Sequence, residues 1–274
     1  GMSPYDAAIH AMGTAGTGGF SNYGSSVGAF DSAVIDAIIT FFMVLFGINF
    51  ALFYRVLVGG WRDALRSEEL HWYLALFAGS TLFVSLMILP QYGTFLNALR
   101  YGSFQVATIM STTGYATADF NLWPQAVKAL IVVLMFIGSC AGSTAGGIKV
   151  VRVGILCKLG CREMRRTFQP RKVQVVRFEG KGVEENRLTQ VSVFFFVYVL
   201  LVLAGMFLVS LEGLYDLETN FTAVLTCISN VGPGLGHVGP VENFSGYGPF
   251  AKVVLSLLML AGRLELFPIL VLFH

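Results

Sequence analysis

Three strips of small and hydroxyl-bearing residues recur along the chain: Thr17-Gly18-Gly19-Phe20, Thr112-Thr113-Gly114-Tyr115 and Asn230-Val231-Gly232-Pro233-Gly234-Leu235-Gly236. Each follows a short apolar run (Asp6 to Met12, Phe104 to Met110, Phe221 to Ile228) and precedes a polar loop and a longer apolar stretch. These residue types supply no strong acid, base or nucleophile, so their chemistry is that of the backbone. Extended carbonyls can replace the hydration shell of an alkali ion, and a half-helix aiming its carboxyl end at the same point adds the negative pole of its dipole. The candidate ion-binding residues are therefore Thr17, Gly18 and Gly19; Thr112, Thr113 and Gly114; and Val231, Gly232, Pro233 and Gly234. None of the strips carries the full Thr-Val-Gly-Tyr-Gly pattern, which predicts looser discrimination between potassium and its neighbours.

A fourth glycine-rich run, Gly138-Ser139-Cys140-Ala141-Gly142-Ser143-Thr144-Ala145-Gly146-Gly147, interrupts an apolar stretch. It reads as a helix kink that permits close packing, as a movable loop across an ion path, or as a hydrolase site with Ser139 or Ser143 as nucleophile. The last needs a base within hydrogen-bond reach, and His10, His71, His237 and His274 all fall near span ends or in loops. Arg263 stands in the middle of an apolar stretch, where a charge must face a cavity or a partner. Glu265, two residues on, does not share its helix face, so Arg263 is expected to face the ion path and to hinder cations there. Cys157 and Cys161 are spaced for a ligand pair but have no second pair, so no metal site is expected. No disulfide is expected among the four cysteines.

The elements that must position these groups follow from composition. Of 274 residues, 55% are apolar and 12% charged, against about 45–50% and about 25% in soluble domains. The mean hydropathy is +0.70, and a net charge of +2 gives no reason to expect a nucleic-acid partner. Lipid is the expected solvent. Five stretches approach the roughly 20 apolar residues of a span: Val34 to Val58, His71 to Leu89 closed by Pro90, Val127 to Leu159, Thr189 to Leu211, and Phe250 to Phe273. Most basic residues fall between the first and second spans and between the third and fourth, which predicts that these loops face the cytoplasm. The opposite side collects Asp6, Asp31, Asp119, Glu212, Asp216, Glu218 and Glu242, an acidic face that would concentrate cations. No signal peptide is evident in the first thirty residues.

The strips, with the run from Ala141 to Lys149 and the pair Gly262-Arg263, resemble the Trk/Ktr/HKT superfamily of potassium transporters, most closely its bacterial TrkH type. The resemblance covers the whole chain. It implies an all-α membrane protein of tandem helix, pore-loop, helix repeats around a pseudo-fourfold ion pore, with the first repeat absent from this chain. Residues 1–60 would be the pore loop and second helix of the second repeat, 61–160 the third repeat, 161–188 a basic cytoplasmic loop, and 189–274 the fourth repeat. The implied function is potassium uptake across the bacterial inner membrane; a sodium- or ammonium-permeable transporter is the alternative within the same architecture. The resemblance further implies that Gly138, Ser139, Gly142, Ser143, Thr144, Gly146 and Gly147 form a gate with Arg263. Potassium would be cargo, with no tightly bound cofactor. The implied partners are membrane lipid, a second copy of the chain, and cytoplasmic nucleotide-binding regulatory subunits docking near the basic loop.

Overall fold

The computed structural model describes residues 1–169 and 174–263. In chain order the helices are α1 (Pro4–Ala15), α2 (Ala33–Phe46), α3 (Phe50–Leu57), α4 (Trp61–Leu65), α5 (Glu68–Tyr92), α6 (Phe95–Met110), α7 (Gln125–Ile137), α8 (Val150–Phe168), α9 (Glu185–Ser210), α10 (Leu217–Ser229) and α11 (Pro249–Arg263). A two-residue antiparallel hairpin, β1 (Arg177–Phe178) and β2 (Lys181–Gly182), follows α8.

Helix length separates two kinds of element. At 1.5 Å per residue, α5 and α9, of 25 and 26 residues, are long enough to cross a hydrocarbon layer of about 30 Å. The 12, 16 and 13 residues of α1, α6 and α10 fall short of it. Each of these half-helices starts on a side-chain cap: Ser3 accepts from the Asp6 amide, Thr94 from Asn97 and Asp216 from Thr219. A cap fixes where the helix starts and satisfies an orphan donor.

The repeat predicted from the sequence is visible as architecture. α5, α6, a strip and α7 form one unit; α9, α10, a strip and α11 form a second; α1, a strip and α2 supply the later part of a third. The units interlock by one rule, since α2 packs on α6 of the next unit and α7 packs on α10 of the one after. The main core lies among α5, α6 and α7, around Val84, Ile88, Val106, Ile131 and Leu134. A second core joins α9, α10 and α11.

Several expectations are corrected. The stretch from Val34 to Val58 is not one rod: α2 and α3 meet at 90°. Gly47 ends α2, and the Asn49 side chain caps the Ala51 amide to start α3. The α5 helix does not stop at Pro90 but runs two residues further, because a proline in the last turn forfeits only one intrahelical bond. The α8 helix continues to Phe168, so the stretch read as a loop from residue 161 begins as helix. The last expected span is described only as far as Arg263; Glu265 and His274 lie outside the described residues, as do Arg171 and Lys172 of the basic stretch. Part of the expected acidic face, Asp31 and Glu212, is used for local bonding, as is Asp36 beside it. Asp31 and Asp36 pair with Arg100 at 3.3 and 2.6 Å, and Glu212 accepts the Gly248 and Ala251 amides at 2.8 and 2.9 Å.

Candidate functional site

All three half-helices end in the same backbone turn. Thr17, Thr112 and Asn230 adopt left-handed conformations with φ of 50°, 54° and 55°. The next amide then reaches back five residues: Gly18 to the Gly13 carbonyl at 2.8 Å, Thr113 to Thr108 at 2.9 Å, and Val231 to Thr226 at 2.9 Å. This is a Schellman closure. One residue further, Gly19, Gly114 and Gly232 again have positive φ, at 67°, 84° and 116°. Each strip therefore leaves its half-helix along the same path, although no two share a sequence.

The strips also touch. A Cβ at Gly19 would collide with the Thr113 carbonyl oxygen, and one at Gly114 with the Val231 carbonyl oxygen, so the first strip abuts the second and the second abuts the third. Buried Tyr115 ties two of them together, its hydroxyl donating to the carbonyls of His10 at 3.3 Å and Phe20 at 3.4 Å. Thr226 holds the third from within, accepting from the Gly232 amide at 2.9 Å and donating to the Pro233 carbonyl at 3.2 Å. Among the described residues, no hydrogen bond ends on the carbonyl oxygens of Thr17, Gly18, Thr112, Thr113, Asn230 or Val231. Thr17, Thr112, Thr113 and Val231 are buried, Asn230 is half-buried and Gly18 is exposed. Buried carbonyls are normally paired, so three abutting strips present carbonyls that no protein donor occupies.

The third strip differs in register from the sequence expectation. Asn230 and Gly232 match Thr17 and Gly19, while Gly234 lies beyond and gives its amide to the Val238 carbonyl at 2.6 Å. Asn230 opens that strip but is not among the sequence candidates, which centre on the glycine-proline cluster. The available signal was a polar residue two places before a glycine at the end of an apolar run, as at Thr17 and Thr112.

The interrupted stretch lies across the ends of all three half-helices. The Gly146 amide donates to Thr112 Oγ1 at 2.8 Å, and a Cβ at Gly146 would meet the Ser229 carbonyl oxygen. The Thr144 carbonyl accepts Thr17 Oγ1 at 3.0 Å and Arg263 Nη1 at 2.6 Å. On its other side the loop docks into the break between α2 and α3: Cys140 N donates to the Gly47 carbonyl, and the Gly142 carbonyl accepts Phe50 N, both at 3.1 Å. Two broken helices thus satisfy each other's backbone, as irregular chain at membrane depth requires. Buried Glu69 accepts the Ala141 amide at 2.6 Å. The start of α5 is itself held by Glu179 of the hairpin turn, which accepts from Ser67 Oγ at 2.7 Å and Glu69 N at 3.0 Å.

The serine residues of the loop face each other rather than a base. Ser139 Oγ lies 3.0 Å from Ser143 Oγ, and Ser143 donates to the Cys140 carbonyl at 2.7 Å. His10 is bonded to the Asp6 carbonyl and Ser21, and His71 to the Ser67 carbonyl. Among the described residues, no group of His, Cys, Asp and Glu is arranged to hold a metal ion.

The ring of strips is open on one side. Between the first and third strips lies a cavity of about 810 Å³ lined by Thr17, Gly18, Asn230, Val231, Gly232 and Arg263. The flanking helices leave apolar side chains exposed: Met12 on α1, and Val253, Leu257 and Leu260 on α11.

The chain as a whole is similar to known proteins. The family model described as TrkH, a cation transport protein, matches residues 1–274. The Trk system potassium uptake protein TrkH of Salmonella typhimurium is 36% identical over 280 residues, covering 100% of this chain and 56% of that protein. TrkG of Escherichia coli is 31% identical with the same coverage. The crystal structure of the potassium transporter TrkH from Vibrio parahaemolyticus superposes with a TM-score of 0.93 at 33% identity, covering 100% of this chain and 59% of that one. The chain spans about half the length of the curated relatives it matches.

Proposed function

The chain belongs to the TrkH family of cation transport proteins, and from that premise we propose that its three strips form three sides of a potassium-selective site. The single observation that carries this reading is the backbone turn repeated at Thr17, Thr112 and Asn230, which brings free carbonyls of three abutting strips together. Three half-helix carboxyl ends converge on the same place, each contributing about 0.3–1 kcal/mol toward a cation. By the interlocking rule that seats α2 on α6 and α7 on α10, the exposed face of α11 calls for another half-helix. The cavity between the first and third strips is where a fourth strip would close the ring.

The run from Gly138 to Gly147 acts as the gate. It lies against one end of all three strips, so an ion leaving them in that direction meets it. Arg263 holds the gate shut through the Thr144 carbonyl and places a positive charge beside the path. Glu69 anchors the opposite side, and Glu179 links that anchor to the hairpin. This supports a regulatory partner on the basic stretch around residues 161–188, whose pull on the hairpin would reach Ala141 through α5. The division into units at 1–60, 61–160 and 189–274 belongs to the same reading.

The test is rubidium uptake into proteoliposomes holding the intact protein, with potassium, sodium and ammonium as competitors. Uptake suppressed by potassium more than by sodium or ammonium supports the assignment. Uptake indifferent to which ion competes would remove the selective site.

A further inference from the structure

A second concave site lies away from the strips, between α8, the hairpin and the start of α5. It has a volume of about 860 Å³, within the ~300–1,000 Å³ common for small-molecule sites. Four of its lining side chains are cationic and none is acidic. Lys158, Arg162 and Arg165 recur at the three- and four-residue spacing that puts them on one face of α8, and Arg177 comes from β1.

These cations are not equivalent. Lys158 is paired with Glu68 and donates to the Arg177 carbonyl at 2.8 Å. Arg162 forks onto Glu185 at 2.5 and 3.4 Å. Those pairs hold the walls together. Arg165 and Arg177 are exposed, and among the described residues neither has an ion pair. Two arginines from different elements line one cavity, and the acids near it, Glu68, Glu163 and Glu185, are paired with Lys158 and Arg162. Unpaired guanidinium groups suit a phosphate, which arginine grips with two parallel hydrogen bonds. The rest of the lining is apolar: Trp72 lies in the second turn of the spanning helix α5, while Phe168 and Val175 are 87% and 60% exposed. A tryptophan at the start of a span marks the interfacial level of a bilayer, and basic pockets at that level take anionic headgroups.

We propose that this cavity binds a phosphate group through Arg165 and Arg177, and that the source is the headgroup of an anionic phospholipid whose chains lie along Trp72 and Phe168. Occupancy would brace α8 against the hairpin, the element that also carries Glu179.

Two native thiols report on the site. Cys157 and Cys161 line the cavity and are exposed, whereas Cys140 and Cys227 are buried. The experiment measures the rate at which a neutral maleimide modifies the peptide carrying Cys157 and Cys161 in the full-length protein, read by mass spectrometry. It compares nanodiscs of phosphatidylglycerol with nanodiscs of phosphatidylcholine, and detergent solution with and without inorganic phosphate. The proposal expects labelling at least fivefold slower in phosphatidylglycerol than in phosphatidylcholine, and the difference lost in R165Q/R177Q while R165K/R177K keeps part of it. Equal protection by millimolar inorganic phosphate in detergent would keep the phosphate site but overturn the lipid source. Equal rates in both lipids, or protection undiminished in a folded R165Q/R177Q protein, would overturn the site. The thermal midpoint of each variant identifies any that has lost its fold, and the milder single variant R165Q then takes its place.

Discussion

Arg263 Nη1 donates to the Thr144 carbonyl oxygen at 2.6 Å, joining α11 to the loop that crosses the ends of the half-helices. The same oxygen accepts Thr17 Oγ1 at 3.0 Å, so one carbonyl is shared by the first strip and by a charge 119 residues away from it in sequence.

Replacing that arginine by alanine removes both the clamp and the charge. A unit charge about 4 Å from a cation costs about 4 kcal/mol at an effective dielectric of 20, and water in the path reduces this. Even a residual ~1.4 kcal/mol at the limiting barrier changes passage about tenfold. Arg263→Ala is expected to raise rubidium flux by about that factor with ion preference unchanged, while Arg263→Lys retains most of the block. Parental flux in folded Arg263→Ala would make the residue structural only.

Glu69 is the opposite tether. Glu69→Ala leaves the half-buried Ala141 amide without its acceptor, at a cost of about 1 kcal/mol, the low end for an unsatisfied donor. A lowered thermal midpoint together with raised flux per folded protein is expected. A lowered midpoint with unchanged flux would separate the tether from gating.

Removing part of the run from Gly138 to Gly147 separates a gate from a kink. Deletion of a gate raises flux per folded protein, whereas deletion of a packing kink gives poor assembly and low flux. Size-exclusion profiles and rubidium uptake on the same preparation distinguish the two outcomes.

Gly114→Ala places a Cβ against the Val231 carbonyl at a φ of 84°, a conformation that costs about 1–2 kcal/mol for an L-residue. The expected result is a loss of preference for potassium over sodium. Gly79→Ala in α5 is the control: a Cβ there meets nothing within 4 Å, and helix propensity favours alanine by up to about 1 kcal/mol.

Acid should loosen the first strip's support. Hydrogen bonds from Asn22 and Ser3, with a further one from Tyr23, hold the Asp6 carboxyl below its usual range. A depressed folded-state value means that its contribution is fully present above about pH 4 and is lost as pH falls through the folded-state value. Hydrogen exchange in α1 should therefore be steady, after correction for intrinsic rates, from pH 8 to 5 and rise below pH 4. Asp6→Asn should remove that acid step.

The parts of this architecture that rest on local chemistry were legible in the sequence. Short apolar runs ending in Thr17-Gly18-Gly19 and Thr112-Thr113-Gly114 announce half-helices and strips because length and backbone freedom are local properties. The bend at Gly47 to Asn49 was not legible, since both arms are apolar and hydropathy sums across them. Its reason lies far along the chain, where Cys140 bonds Gly47 and Gly142 bonds Phe50 and so supply the missing backbone partners. The role of Glu69 was hidden likewise: in sequence it is one of two acids opening a helix, and only the fold brings it to Ala141. Asn230 was obscured by the more conspicuous glycines that follow it.

On the proposed function a dehydrated cation rests among the three strips, and thallium soaked into crystals of the full-length protein reports where it sits. Anomalous peaks are expected within coordinating distance of the carbonyl oxygens of Thr17, Thr112 or Thr113, and Asn230 or Val231, displaced by added potassium. Strong thallium peaks elsewhere with none at the three strips would contradict that placement.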